Sequence, residues 1–240
     1  MMNRSGRKVA SAANQRRLIT PARAAGVVVL VALIAVITTM VVHRQKDKDQ
    51  AAAAVAPPAV FTADGRLRFG DAPITVTVIT DFQCPVCRQF TATTEPTLND
   101  MVKAGAVAVE YDTVAVLDRA SKDNYSSRAA NAGTCVAVAN KNAWLDFDQK
   151  LFAAQPAEGG AGLGADKLIE LAGQAGVSGP DVASCIRDDR YGGFVKSHAQ
   201  HAIDAGLTHV PVVKVGDQVV ENLTPDGLRA AIDRARSAGK

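Results

Sequence analysis

The chain has 240 residues, 48% of them hydrophobic and 5% aromatic, with a formal net charge of +3. The positive balance is an N-terminal property: residues 1–50 carry nine Lys/Arg against two Asp, whereas residues 51–240 carry 18 basic and 22 acidic residues. That distribution leaves no basic face for nucleic acid, and the roughly 180 residues beyond the N-terminal region suffice for one well-buried domain.

Six basic residues, Arg4, Arg7, Lys8, Arg16, Arg17 and Arg23, precede an apolar run of 19 residues from Ala24 to Val42. Such a run is long enough to cross a bilayer as a helix, and it lacks the polar face of a helix buried in a soluble core. Basic residues dominate before it and are mixed with acids after it, at Arg44, Lys46, Asp47, Lys48 and Asp49. The positive-inside bias therefore predicts a cytoplasmic tail over 1–23, a single-pass membrane anchor over 24–42, and export of everything beyond to the extracytoplasmic face of the cell membrane. A signal peptide cut near Ala54-Val55-Ala56 is the alternative, although that site lies 14 residues beyond the apolar run, far for a cleavage site. Residues 43–60, charged and then rich in alanine with Pro57-Pro58, read as a linker that lets the domain stand off the membrane.

Phe61 to Gly70 reads as a short lead-in strand with a turn at Asp64-Gly65, and the β-branched run Ile74–Thr80 as a second strand. The spacing then predicts a helix over 84–103, kinked at Pro96 and stopped at Gly105. Val107–Val114 alternates as a strand, so a crossover helix joins two parallel strands. From Asn124 to Asp188 the pattern is helical: one segment around 128–139, one with Trp144, Phe147, Leu151 and Phe152 as its core positions, and one around 168–175. Glycine-rich turns at 159–164 and 176–180 separate them. A helix near 191–205 leads to a strand within Thr208–Val215, a turn at Gly216-Asp217, a strand over Gln218–Glu221, and a last helix from Pro225 to Ala238. Thr224 is its expected cap, with Pro225 at the first helical position. The order predicts an α/β fold in which a first part (61–122) and a second part (191–240) enclose an inserted helical domain (123–190).

The chemistry concentrates in Asp81-Phe82-Gln83-Cys84-Pro85-Val86-Cys87. A Cys-x-x-Cys pair placed after a strand and at the start of a helix puts its first sulfur where unpaired N–H groups and the helix dipole favour an anion, and a thiolate gains from that position. A dithiol/disulfide active site is the reading that results. Half of a zinc site is the alternative, but the other cysteines, Cys135 and Cys185, lie 50 positions apart and form no second close pair. His198 and His201 are more than a hundred residues away, so no metal is expected. A purely structural bond within the motif would close a ring too small to remove much chain entropy.

The motif, the inserted helices and Val210-Pro211 opening a late strand together resemble the DsbA-type thiol–disulfide oxidoreductases, of the membrane-anchored kind found in actinobacteria. The resemblance covers about residues 60–240 and implies a thioredoxin fold interrupted by a helical domain. It implies Cys84 as the exposed nucleophile and Cys87 as the more buried resolving thiol. It implies a cis bond between Val210 and Pro211 beside the disulfide, with the Val210 backbone pairing an extended substrate; a trans proline opening an edge strand is the alternative. It also implies a structural bond between Cys135 and Cys185, free buried thiols being the alternative.

The chain departs from the family pattern at two places. Pro85 and Val86 fill the motif, so the histidine that strong oxidants carry before the second cysteine is absent, and Val78 occupies the position of a buried acid six residues before the first. Asp81 is the nearest acid, as a tuning group or as a stabiliser of the turn, and His209, two residues before Pro211, is expected near the Cys84 thiolate. His198 and His201 are expected at the surface or one layer away from the thiols, and Trp144 and Phe147 in the core. The expected activity is a disulfide oxidase of moderate strength that donates the Cys84–Cys87 bond to cysteine-containing exported proteins. A membrane quinone-linked reoxidase of the DsbB or VKOR type would regenerate it, with the protein a monomer and no bound cofactor needed, since the cysteine pair carries the electrons. A reductase or isomerase of the same fold, and a zinc-holding binding or chaperone module, are the alternatives.

Overall fold

β-Branched residues build the centre of the fold. Strand β2 (Thr75–Thr80) is buried from Val76 onward on both of its faces, which is what a run of Val, Ile and Thr without polar alternation specifies. The molecule is a computed structural model that describes residues 56–238 and Thr39. The cytoplasmic tail, the membrane anchor apart from Thr39 and most of the linker expected over 1–60 lie outside the described residues. Among the described residues no helix is long and apolar enough to cross a membrane.

The sheet holds β1 (Leu67–Phe69), β2, β3 (Ala108–Thr113), β4 (Val212–Val215) and β5 (Gln218–Val219) in the order β1-β3-β2-β4-β5. β2 and β3 run parallel, with Thr80 opposite Thr113, while the other pairs are antiparallel. Between β2 and β3 come helices α1 (Pro85–Thr93) and α2 (Glu95–Lys103), and α8 (Pro225–Ala238) closes the chain. Between β3 and β4 stand α3 (Tyr125–Ala139), α4 (Trp144–Ala153), α5 (Ala165–Gln174), α6 (Pro180–Arg187) and α7 (Gly192–Asp204). This is the thioredoxin fold with a helical insertion that the sequence predicts. A single apolar core runs from Leu67, Val76 and Val109 of the sheet through Phe82 and Phe90 to Phe147, Leu151 and Leu171 of the inserted helices. Trp144 and Phe147 lie within it, as expected.

Four expectations are corrected. The helix over 84–103 is two helices rather than one kinked helix: α1 ends where the Thr94 N–H bonds the Phe90 carbonyl, and α2 restarts with Pro96 in its first turn. Proline has no N–H to continue the α1 ladder, so a fresh start costs less than a bend. The lead-in strand shrinks to β1, because residues 62–66 close a turn in which the Thr62 N–H bonds the Arg66 carbonyl at 2.8 Å. Gly65 holds φ +77° there, and a Cβ would come within 2.7 Å of the His198 ring, so that turn needs glycine. The strand expected within 208–215 begins at Val212, after the proline, and Gln218–Glu221 shortens to the two residues of β5. Helix α6, not singled out in the sequence, occupies Pro180–Arg187. The Thr224 cap holds: its hydroxyl accepts the Gly227 N–H at 3.2 Å.

Candidate active site

Cys84 is the N-cap of α1. Its backbone is extended, at φ −78° and ψ 116°, and its Sγ accepts the N–H of Cys87 at 3.1 Å. The strand delivers the sulfur to the helix end, Pro85 fills the first turn where its missing N–H is no loss, and the sulfur takes the place a serine or aspartate oxygen occupies at ordinary caps. On its other side Cys84 Sγ–H points to the carbonyl of Val210 at 3.5 Å. The Val210–Pro211 peptide is cis, and the Val210 N–H carries no hydrogen bond among the described residues. Sequence positions 126 apart thus converge on one sulfur. Both cysteines are free thiols.

The two thiols differ in their surroundings. The Cys84 thiol is lowered to about 7, first by the hydrogen bond from the Cys87 thiol and then by the N–H groups of Cys87 and Val86, against the opposing pull of burial and of Asp81. Burial pushes the Cys87 thiol far above its ordinary range, with the neighbouring Cys84 adding to the rise. One sulfur is thereby prepared to leave or attack as a thiolate and the other to hold a proton. The expectation of an exposed Cys84 is corrected: it shows 4% of its surface and Cys87 none, because the Val210 loop lies over the sulfur. Val86 is instead the exposed member of the motif at 57%, and its contribution to Cys84 is its backbone N–H rather than its side chain.

Asp81 is completely buried. Its carboxylate accepts the Gln83 N–H at 2.8 Å, the Leu117 N–H at 2.9 Å and the Ser126 hydroxyl at 2.6 Å, so it stabilises the turn. Burial raises its own pKa, and its charge raises those of both cysteines. Of the two roles weighed for it, turn stabilisation is the one these bonds carry, and its charge opposes the Cys84 thiolate rather than favouring it. His209 is corrected: its exposed ring meets the Thr208 hydroxyl at 3.2 Å and is not among the groups that shift Cys84. His198 lies against Asp112 at 2.6 Å, remote from the thiols, and His201 is exposed.

Cys135 on α3 and Cys185 on α6 are bonded to each other, inside the inserted block rather than at its ends. Among the described residues no cluster of three His, Cys, Asp or Glu is placed to hold a metal ion. Beside the motif lies a cavity of about 390 Å³ whose walls include Val86, Phe90, Leu223 and Pro225. It gives a largely apolar surface next to Val86.

Two residues near the motif went unnoticed in the sequence. The amide nitrogen of Gln155, just past the end of α4, donates to the carbonyls of Phe82 and Cys84 at 2.9 Å each. Gln83 is fully buried, with neither amide atom of its side chain bonded among the described residues. Nothing in the local pattern marks either, because their surroundings come from chain segments far away.

Comparison with known proteins agrees with this geometry. The family model described as "Thioredoxin" matches residues 69–234. The disulfide bond oxidoreductase DsbG of Mycobacterium tuberculosis, in its reduced form, is 34% identical and superposes with a TM-score of 0.64 over 77% of this chain and 91% of its own. Oxidised DsbA of the same organism is 36% identical, with a TM-score of 0.63 over 70% of this chain and 91% of that one. The serine/threonine-protein kinase PknE of M. tuberculosis is 31% identical over 170 residues, 67% of this chain. The match spans 30% of the kinase's length.

Proposed function

Since the chain belongs to the thioredoxin family and, within it, to the DsbA-like protein-disulfide oxidoreductases, we propose that it is an extracytoplasmic, membrane-tethered oxidase that transfers the Cys84–Cys87 disulfide to exported proteins. The observation that carries the proposal is the asymmetry of the two thiols: Cys84 caps a helix and is lowered to about 7, whereas Cys87 is pushed up. A thiol that ionises readily is a good leaving group and stabilises the reduced enzyme, which makes the disulfide form oxidising.

A substrate thiolate attacks Cys84 Sγ. The Cys84–Cys87 bond breaks, and Cys87 departs and takes a proton. A second substrate thiolate then attacks the substrate sulfur of the mixed disulfide, and Cys84 leaves as a thiolate. Two electrons have passed to the enzyme, and a quinone-linked membrane protein of the DsbB or VKOR type accepts them when the bond is re-formed. The free N–H and the carbonyl of Val210 offer one strand's worth of backbone pairing to an extended substrate, and the apolar cavity beside Val86 receives its side chains. Membrane tethering and export rest on the basic N-terminus followed by 19 apolar residues.

The equilibrium potential of the Cys84/Cys87 pair against glutathione tests the direction. A value between about −100 and −180 mV, toward the oxidising end of this fold's range, supports the oxidase. A value near about −270 mV, the thioredoxin range, makes the protein a reductase.

A further inference from the structure

The inserted helical block grips the redox motif at consecutive points. Ser126 of α3 holds Asp81, the ring of Phe152 on α4 packs on Phe82 at 5.0 Å between centroids, and Gln155 bonds the carbonyls of Phe82 and Cys84. We propose that Gln155 is a positioning residue for thiol–disulfide exchange: by fixing the carbonyls on either side of Gln83 it holds Cys84 in the cap conformation that stabilises its thiolate.

Each of the two N–H groups of the Gln155 amide has one carbonyl to serve. The Cys84 carbonyl is also the first acceptor of α1, receiving the Arg88 N–H at 3.1 Å. Its direction is set by the ψ angle of Cys84, 116°. Holding that carbonyl from outside the helix fixes the peptide plane on which the bond from Cys87 N–H to Sγ depends. Among the described residues no other side chain bonds the two carbonyls. Gln83, between them, has a buried amide with no hydrogen-bond partner among the described residues, and the Asp81 carboxylate is engaged as the acceptor of the Gln83 and Leu117 N–H groups and the Ser126 hydroxyl. The base of the Gln155 side chain is itself fixed, because its N–H closes the end of α4 on the Phe152 carbonyl at 3.1 Å and Pro156 follows. The amide also directs its positive end toward the turn that carries the sulfur, where it favours the thiolate. Gln155 is half-buried rather than part of the core, so its removal leaves the packing of α4 in place.

The inference rests on Cys84 being the reactive thiol and is independent of whether the enzyme oxidises or reduces. The test is the pH dependence of Cys84 alkylation by iodoacetamide in the reduced full-length protein, for the wild type, Gln155→Ala and Gln155→Glu. The wild-type midpoint near 7 checks the reading of the site by itself. Gln155→Ala is expected to raise the midpoint by about one unit, a tenfold loss of thiolate below it, with a matching shift of the glutathione equilibrium toward the enzyme disulfide. Gln155→Glu keeps the size of the side chain but sets a carboxylate against two carbonyl oxygens, and is expected to raise the midpoint further. Folding is followed by circular dichroism and melting temperature. A midpoint that stays at the wild-type value in the folded Glu variant overturns the inference. So does a lowered melting temperature with no change in midpoint, which would make Gln155 a strut and nothing more.

Discussion

At the scale of single residues, Asp81 shows how one side chain serves stability and opposes reactivity. Its carboxylate accepts three hydrogen bonds in a fully buried site, while its charge raises the pKa of both thiols. Asp81→Asn is expected to lower the Cys84 midpoint below its present value near 7, read by thiolate absorbance. The amide cannot accept at both of its ends, so one N–H or hydroxyl loses its partner. Stability in urea should fall by about 1–3 kcal/mol. If the midpoint stays in place, the charge of Asp81 does not reach the sulfur. At this scale Cys84, Cys87 and Pro211 were legible, because spacing and residue type carry their chemistry. The burial of Cys84 and the role of Gln155 were not: the groups that cover the sulfur and hold its carbonyl stand 126 and 71 positions further along the chain.

Between elements, a cluster of acids joins the sheet and its helices to the insertion. Glu95 of α2 and Asp148 of α4 show 1% and 2% of their surfaces. Glu95 faces the Tyr111 hydroxyl of β3, Asn99 and Thr91, Asp148 lies within electrostatic reach of Glu95 and Tyr111, and no cation pairs with either carboxyl among the described residues. Burial raises Glu95 to about 7 and moves Asp148 well above its usual range, with Glu95 adding to the rise. The Tyr111 hydroxyl meets acceptor oxygens of both Glu95 and Asn99 at 3.2 Å. A protonated Glu95 that donates to it completes both bonds.

The direction of the pH effect follows. The folded protein binds these protons more tightly than the unfolded chain, so their stabilising contribution is complete below pH 4.5 and is lost as pH rises toward and past 7. Glu95→Gln should flatten that loss, which amounts to on the order of 3 kcal/mol for a shift of this size, in urea midpoints measured at pH 4.5 and pH 8. An unchanged slope would place the pH dependence elsewhere. The sequence foretold most of these elements through period and caps. It missed the break at Thr94, because proline in a helical pattern reads equally as a kink and as a first-turn residue.

For the whole molecule, the bond between Cys135 and Cys185 ties α3 to α6 across 50 positions. Replacing both by alanine should cost about 4 kcal/mol in the chain-entropy account and lower the melting temperature by roughly 10 °C, with the thiolate midpoint of Cys84 unmoved. A shift of that midpoint would show that the bond also shapes the active site. The helices between β3 and β4 were legible in the helical pattern that runs from Asn124 to Asp188. The way the insertion grips the motif was invisible, since each contact is a single polar atom on an otherwise ordinary helix. The sheet has one more consequence. The oxidase proposed above would work beside unfolded, cysteine-bearing chains, whose segments pair readily with any open strand. Its two sheet edges are three and two residues long, and the first is preceded by Arg66 and carries Arg68 at its centre, both paired with Glu110. Edges so short, one of them charged, give an incoming strand little to template upon, so the proposed oxidase would meet its substrates without offering its own sheet as a seed.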